Sequence, residues 1–217
     1  MNKSVIIFFS TFCSLISLYA QNSRVWLSSA SSKLYQDGKW QEAILEAERE
    51  LENGAGVDSH VNIVASYLAL KEYKKAYEVA KIARELPQQG YNPNLLEMQA
   101  ISCYNLGRNI EALNLFQTYL RTISQEKDVA EIYYYIGEIY TLLTQYNRAD
   151  LAFTVAVSIR DYEVSWWTRL GYVREKAMQN SKDRYYSQYA ILAYKKALAL
   201  DKNYIDAILG LRRVEGK

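Results

Sequence analysis

Apolar residues recur at intervals of three and four along most of the chain, the period of a helix with one buried face. Ile63, Val64, Tyr67 and Leu70 form one such stripe, and Ile132, Ile136, Tyr140 and Leu143 form another. Each stripe breaks for a few polar residues and then resumes, as Ala76, Ala80 and Ala83 or as Ala149, Phe153 and Ala156. The pattern predicts helices over 24–36, 39–53, 57–70, 73–86, 93–106, 109–124, 128–143, 146–160, 163–177, 184–200 and 204–214. Gly54-Ala55-Gly56 and the stretch from Pro87 to Pro93 read as connections, because Gly and Pro end helices. The chain is therefore expected to be all-α.

The stripes also repeat as pairs. Leu34 to Ala43, Tyr67 to Ala76, Cys103 to Ala112 and Tyr140 to Ala149 align as helix, tight corner, helix, and a degenerate fifth copy centres on Ala190. The anchoring alanines Ala43, Ala76, Ala112, Ala149 and Ala190 are 33, 36, 37 and 41 residues apart. Small residues are needed where the two helices of a hairpin cross closely. Ala100, Gly137 and Gly171 hold the facing place in the first helix, while Tyr67, Tyr140, Phe116, Phe153 and Tyr194 fill the space one turn away. One hairpin cannot bury its apolar face alone, so successive hairpins must stack.

Tyr133, Ile136-Gly137, Tyr140, Ala149, Phe153 and Ala156 together resemble the tetratricopeptide repeat, and so do Trp167, Leu170-Gly171, Ala190, Tyr194, Ala197 and Leu198 to Asp201. The second set spans an insertion of about seven residues against the usual period of 34. The resemblance implies a right-handed α-solenoid of about five hairpins over residues 21–217, closed by a capping helix from Tyr204 to Arg213. Departures from the pattern carry their own expectations. Glu50 stands where a small residue is usual, which suits an outer face that meets water, and Tyr119 in the same place should push helices apart or tilt them. Trp167 matches the aromatic of the repeat and is expected in the core. Trp166, offset by about 100°, is expected to pack on the preceding hairpin or to lie exposed. The Tyr-rich insertion from Lys182 to Tyr189 is either a second contact surface or packing on the end of the array.

The first twenty residues read differently. Lys3 precedes an apolar run from Val5 to Ala20 that is short for a membrane span and ends on a small residue, the layout of a secretory signal peptide. Residues 1–20 are expected to be removed, leaving no membrane span, or to be kept as an anchor; either way the chain is placed in a bacterial periplasm or outside the cell. Cys13 would leave with the signal, and bulky Phe12 before it argues against lipidation. Cys103 then remains alone, so no internal disulfide is expected. Lysine and arginine number 26 against 24 acidic residues, which leaves no basic stripe for a nucleic acid.

No arrangement for catalysis stands out. His60 is the sole histidine and falls on an inward face, a packing position, and Cys103 reads as a buried inert thiol. No phosphate loop, nucleophile elbow or zinc motif occurs, so no cofactor and no metal is expected. Glu42, Glu46, Glu48, Glu50 and Glu52 read as one solvated helix. The resemblance implies instead a concave groove lined by the first helix of each hairpin. By helical phase it would receive Asp58, Val61, Asn62 and Ala65, then Glu97, Met98, Ile101, Tyr104 and Asn105, then Tyr134, Tyr135, Glu138 and Thr141, then Arg169, Tyr172 and Glu175. Tyrosines offer contact area at low entropic cost, and Asn can bond a peptide backbone through both donor and acceptor. Tetratricopeptide proteins that clamp chaperone C-termini use Lys, Arg and Asn here; Glu97 and Glu138 do not fit that clamp. The expected function is a non-enzymatic scaffold of the cell envelope that binds a protein or peptide. The alternatives are a periplasmic binder of small molecules associated with solute transport, as in some tetratricopeptide proteins the chain resembles, and an envelope-assembly or peptidoglycan-associated module.

Overall fold

The computed structural model describes residues 29–86, 92–123, 129–181 and 184–216. The proposed signal segment, most of the Pro87 to Pro93 connection, and Lys182-Asp183 of the insertion lie outside the described residues. The helices are α1 (Ala30–Gln36), α2 (Trp40–Glu52), α3 (Val57–Ala69), α4 (Tyr73–Glu85), α5 (Pro93–Asn105), α6 (Asn109–Thr122), α7 (Ala130–Leu142), α8 (Tyr146–Ile159), α9 (Val164–Ser181), α10 (Arg184–Leu200) and α11 (Ile205–Glu215). None of the described helices is long and apolar enough to cross a membrane. Their ends lie within two residues of the expected ones except at two helices: α1 begins at Ala30, with Ser29 as its N-cap, where a start at residue 24 was expected and residues 24–28 lie outside the described ones, and α9 runs on to Ser181 instead of stopping at residue 177. The insertion lengthens that helix by a turn.

Four hairpin corners share one backbone device. Gly38, Lys71, Gly107 and Thr144 all have φ between 58° and 75°, the left-handed region. In each, the next residue donates its N–H back over the corner: Lys39 to Leu34 O, Glu72 to Tyr67 O, Arg108 to Cys103 O and Gln145 to Tyr140 O, at 2.8–2.9 Å. This Schellman arrangement satisfies carbonyls that a helix end would leave bare. Glycine enters this conformation freely; Lys71 and especially β-branched Thr144 do so at a cost.

The chain forms two compact units, Met1–Leu115 and Phe116–Lys217. In the first, Val61, Val64, Ala65, Ala76, Ala80, Ala83, Leu95 and Met98 make the main core, and Ile44, Ala47 and Ile63 a smaller one. The second has its main core in Ala130, Ala149, Phe153, Ala156, Val157, Trp166, Leu170, Val173 and Ala193. Ala190, Tyr194, Ala197 and Ala207 form another beside it. All five anchoring alanines are fully buried. A Cβ built on Gly137 would stand 2.8 Å from Phe153 Cε1, and one on Gly171 would stand 2.7 Å from Tyr194 Cε1. The close helix crossing inferred from the repeat is therefore real at both places.

Four expectations need revision or completion. Glu50 does not simply face water: it accepts from the Ser31 N–H (3.0 Å), the Ser31 hydroxyl (2.7 Å) and the Ser59 hydroxyl (2.7 Å). A carboxylate in a small residue's place needs donors, and the first turns of α1 and α3 supply them. Of the two tryptophans, Trp166 is the fully buried one, packed on the preceding hairpin through a stack with Tyr134 at 5.0 Å. Trp167 is partly buried between the two cores of the second unit, and its indole N–H donates to Asp161 O at 2.7 Å. Tyr119 is fully enclosed. In the insertion, Tyr186 donates to Asn147 (3.1 Å) and the Tyr189 ring lies under Arg174 (5.6 Å), so these two rings pack back on the array.

Candidate functional site

In the first unit the expected binding residues turn largely inward. Met98 is fully enclosed in the main core, and Ile101 and Glu97 are 7% and 8% exposed. Asn62 is buried and spends both ends of its amide on serines, donating to Ser31 (2.8 Å) and Ser29 (3.3 Å) and accepting from Ser32 (3.3 Å). With Glu50 these side chains form a polar clasp that ties α1 to α2 and α3. Partial burial pushes the Glu50 carboxyl up, but the Ser31 and Ser59 donors outweigh it and hold the group below the usual carboxylate range. The clasp was missed in the sequence; the signal was the serine-rich start of α1 opposite an acid in an interior position. Tyr104 and Asn105 remain partly exposed, with Asn105 folded onto Ile101 O at 2.8 Å.

The second unit brings four expected residues together. Glu138 of α7 accepts from both Nε and Nη2 of Arg169 on α9, at 2.5 and 2.9 Å. The Arg169 guanidinium lies 5.0 Å over the Tyr172 ring, and the Lys176 ammonium approaches the same ring at 5.5 Å. Burial opposes the Arg169 charge, but Glu138 together with Tyr134 and Tyr172 holds the guanidinium protonated beyond its usual range. Tyr134 stands beside this pair, its face on Trp166 and its edge to Phe153 at 5.5 Å. Tyr135 belongs elsewhere: it is 7% exposed and stacked on Phe116 at 5.5 Å, a packing residue.

A fork-shaped cation paired with a carboxylate and laid on an aromatic ring is a rigid, amphipathic surface. Because Glu138 already occupies the fork, Arg169 is not a ready anchor for an anionic ligand. Ring and guanidinium together make an amphipathic plate on the α7–α9 face. Glu175, also expected at this face, is instead buried, accepting from Tyr194 (2.9 Å) and from Arg213 (2.9 and 3.0 Å). Its role is to pin α11 to α9. Arg174 likewise braces the outer side, donating to Asp150 (2.7 Å), Thr154 (3.2 Å) and Tyr189 O (3.3 Å).

Neither side chain read as inert takes part in this face. Cys103 is buried, and desolvation with nearby Glu111 pushes its thiol up to about 12. His60 is half-buried on α3.

No protein-family model and no curated protein matches the chain. Solved structures do. A crystal structure of MamA superposes with a TM-score of 0.66 at 16% identity, covering 82% of this chain and 97% of that one. MamA from Desulfovibrio magneticus RS-1 gives 0.63 at 20% identity, covering 75% and 85%. YrrB, a tetratricopeptide protein with an unusual peptide-binding site, gives 0.65 at 15% identity, covering 91% and 96%. At such identities the likeness is one of fold, and the fold is that of stacked tetratricopeptide hairpins.

Proposed function

We propose that this chain is a non-enzymatic scaffold of the bacterial cell envelope, exported by its first twenty residues, that holds a peptide or an extended segment of a protein. The observation that carries the reading is the plate formed by Glu138, Arg169 and Tyr172 on the α7–α9 face, with Tyr134 beside it. Its charges are internally matched and its rings partly open, which fits an uncharged or mixed segment better than a small anion. The peptide-binding site of YrrB, a protein of the same fold, lends support by analogy only.

The test is selection of peptides from a displayed library against the purified chain, followed by titration of the variants Tyr172→Ala and Arg169→Met. Tyrosine and arginine anchors typically account for more than about 1–2 kcal/mol each, so affinity should fall at least about tenfold in each variant. Thermal stability should change little for Tyr172→Ala. Binding that survives both substitutions would exclude this face. Fractionation of expressing cells, with N-terminal sequencing, tests export: the processed chain should begin near Gln21.

A further inference from the structure

We infer that α1 is an acid-released strap: the ionised Glu50 carboxylate holds it over the start of α3, and protonating that group frees it while the hairpins behind it stay folded. The inference starts from how little else holds α1. It has seven residues, too few to keep a helix without outside contacts. Its buried side chains are Ser31 and Ser32, both polar. Leu34 and Tyr35 are only half-buried, and Tyr35 alone of the two lies against the first unit's main core. By contrast α2 buries Ala43, Ile44 and Ala47.

The polar clasp supplies the rest. Glu50 Oε1 accepts from the Ser31 N–H, and Oε2 accepts from the hydroxyls of Ser31 and Ser59. Bonds to a charged acceptor are about twice as strong as neutral ones. Protonation removes that charge and puts a hydrogen where an acceptor was. Ser31 is poorly placed to receive it, because its oxygen already takes the Asn62 amide at 2.8 Å and lies 2.9 Å from the Ser29 hydroxyl. Release of α1 uncovers the Ser59 hydroxyl and the Asn62 carboxamide, which is now spent on Ser29, Ser31 and Ser32. A polar face on α3 is thus closed by the chain's own α1 and opened by acid.

The other titratable groups on the elements around Glu50 do not replace it. On α1, Lys33 is exposed, and burial pushes the Tyr35 phenol up, away from the acidic range. On α3, Asp58 is exposed, His60 is half-buried and Tyr67 is half-buried. On α2 itself Glu46 engages Arg49 at 3.3 Å, and Glu48 and Glu52 are exposed. Burial pushes the Glu50 carboxyl up and the serine donors push it further down, so its folded value is depressed. The strap is therefore closed above the unfolded value of about 4.3 and opens as pH falls through the lower folded value. A transition near about 6.5 would belong to the imidazole instead.

The experiment is amide hydrogen exchange with mass-spectrometric readout on the chain as purified from the cell, from pH 7 down to pH 3. Rates are corrected for the intrinsic pH dependence of exchange, and peptides from α1 are compared with peptides from α4. Protection in α1 should fall at least about tenfold below pH 4–5, the factor that one hydrogen bond to a charged group carries, while α4 keeps its protection. Glu50→Gln, checked for folding by circular dichroism, should show the lowered α1 protection already at pH 7 and stay flat on acidification. His60→Gln should leave the transition where it is. The proposal is overturned by α1 protection that does not change with pH, by loss in α1 and α4 at the same pH, by a transition that moves with His60→Gln, or by a Glu50→Gln chain that matches the wild type at pH 7.

Discussion

Replacing Gly137 by alanine tests the packing on which the fold depends. In an exposed helix interior, glycine to alanine would stabilise by about 1 kcal/mol, because alanine loses less backbone freedom on folding. At Gly137 the added methyl would meet three ring carbons of Phe153 at 2.8–2.9 Å. Carbon atoms settle at about 3.5–4.0 Å, so the ring or the helix must retreat by most of an ångström. Phe153 is fully buried and cannot swing into solvent. Overpacking of this kind costs about 1–3 kcal/mol. The clash should offset or outweigh the propensity gain, giving a net loss of up to about 2 kcal/mol and a midpoint lower by up to roughly 8 °C. Urea denaturation followed by far-ultraviolet circular dichroism measures it. A companion variant, Phe153→Leu, removes the ring, so the double variant should be more stable than the sum of the two single losses by at least about 0.5 kcal/mol. If Gly137→Ala proves more stable than the wild type, the helices of that hairpin do not cross closely there, and the reasoning from small residues fails.

Other outcomes follow from the same structure. Thr144 holds φ 58° at its corner, so Thr144→Gly should raise stability by about 1 kcal/mol, read as a higher melting midpoint, whereas the same change away from a corner should lower it. Glu50→Ala leaves the Ser31 and Ser59 donors without their acceptor and should cost about 1–3 kcal/mol in denaturant melts, with exchange protection lost first in α1. Glu50 and Glu175 both titrate below their ordinary range: burial acts upward on each, but hydrogen bonds act more strongly downward, from serines on one and from Arg213 and Tyr194 on the other. Their stabilisation is thus complete above an unfolded value of about 4.3 and is lost as pH falls through the lower folded values. Melting midpoints should drop on acidification below about pH 4–5, and Glu175→Gln should flatten that drop. Cys103, buried with its thiol pushed up to about 12, should resist thiol reagents at pH 8 in the native chain and react once urea unfolds it.

Helical period, repeat spacing and the pairing of small with large residues were all legible in the chain, because each follows from neighbours a few positions apart. That is why Ala43, Ala76, Ala112, Ala149 and Ala190 could be named as buried, and why Gly137 and Gly171 could be set against rings, before any coordinates. The α7–α9 plate was half legible: Tyr134, Glu138, Arg169 and Tyr172 share a face by phase, but their bidentate pairing and stacking were not. Helical phase alone also misassigned exposure. Met98 and Tyr135 have the phase of surface residues and are enclosed, since what covers a residue on one helix is decided by the helices beside it.

The amino-acid order by itself thus determined the elements and the hairpins, because turn chemistry and the 3.6-residue period act locally along the chain. Only the tertiary structure decided which polar groups are spent inside. Whether Glu50 meets water or serines, and whether Arg169 is a free cation or one half of a pair, depends on side chains about 20 to 30 residues away in sequence. Distances of that kind are set when hairpins stack, and no local pattern records them.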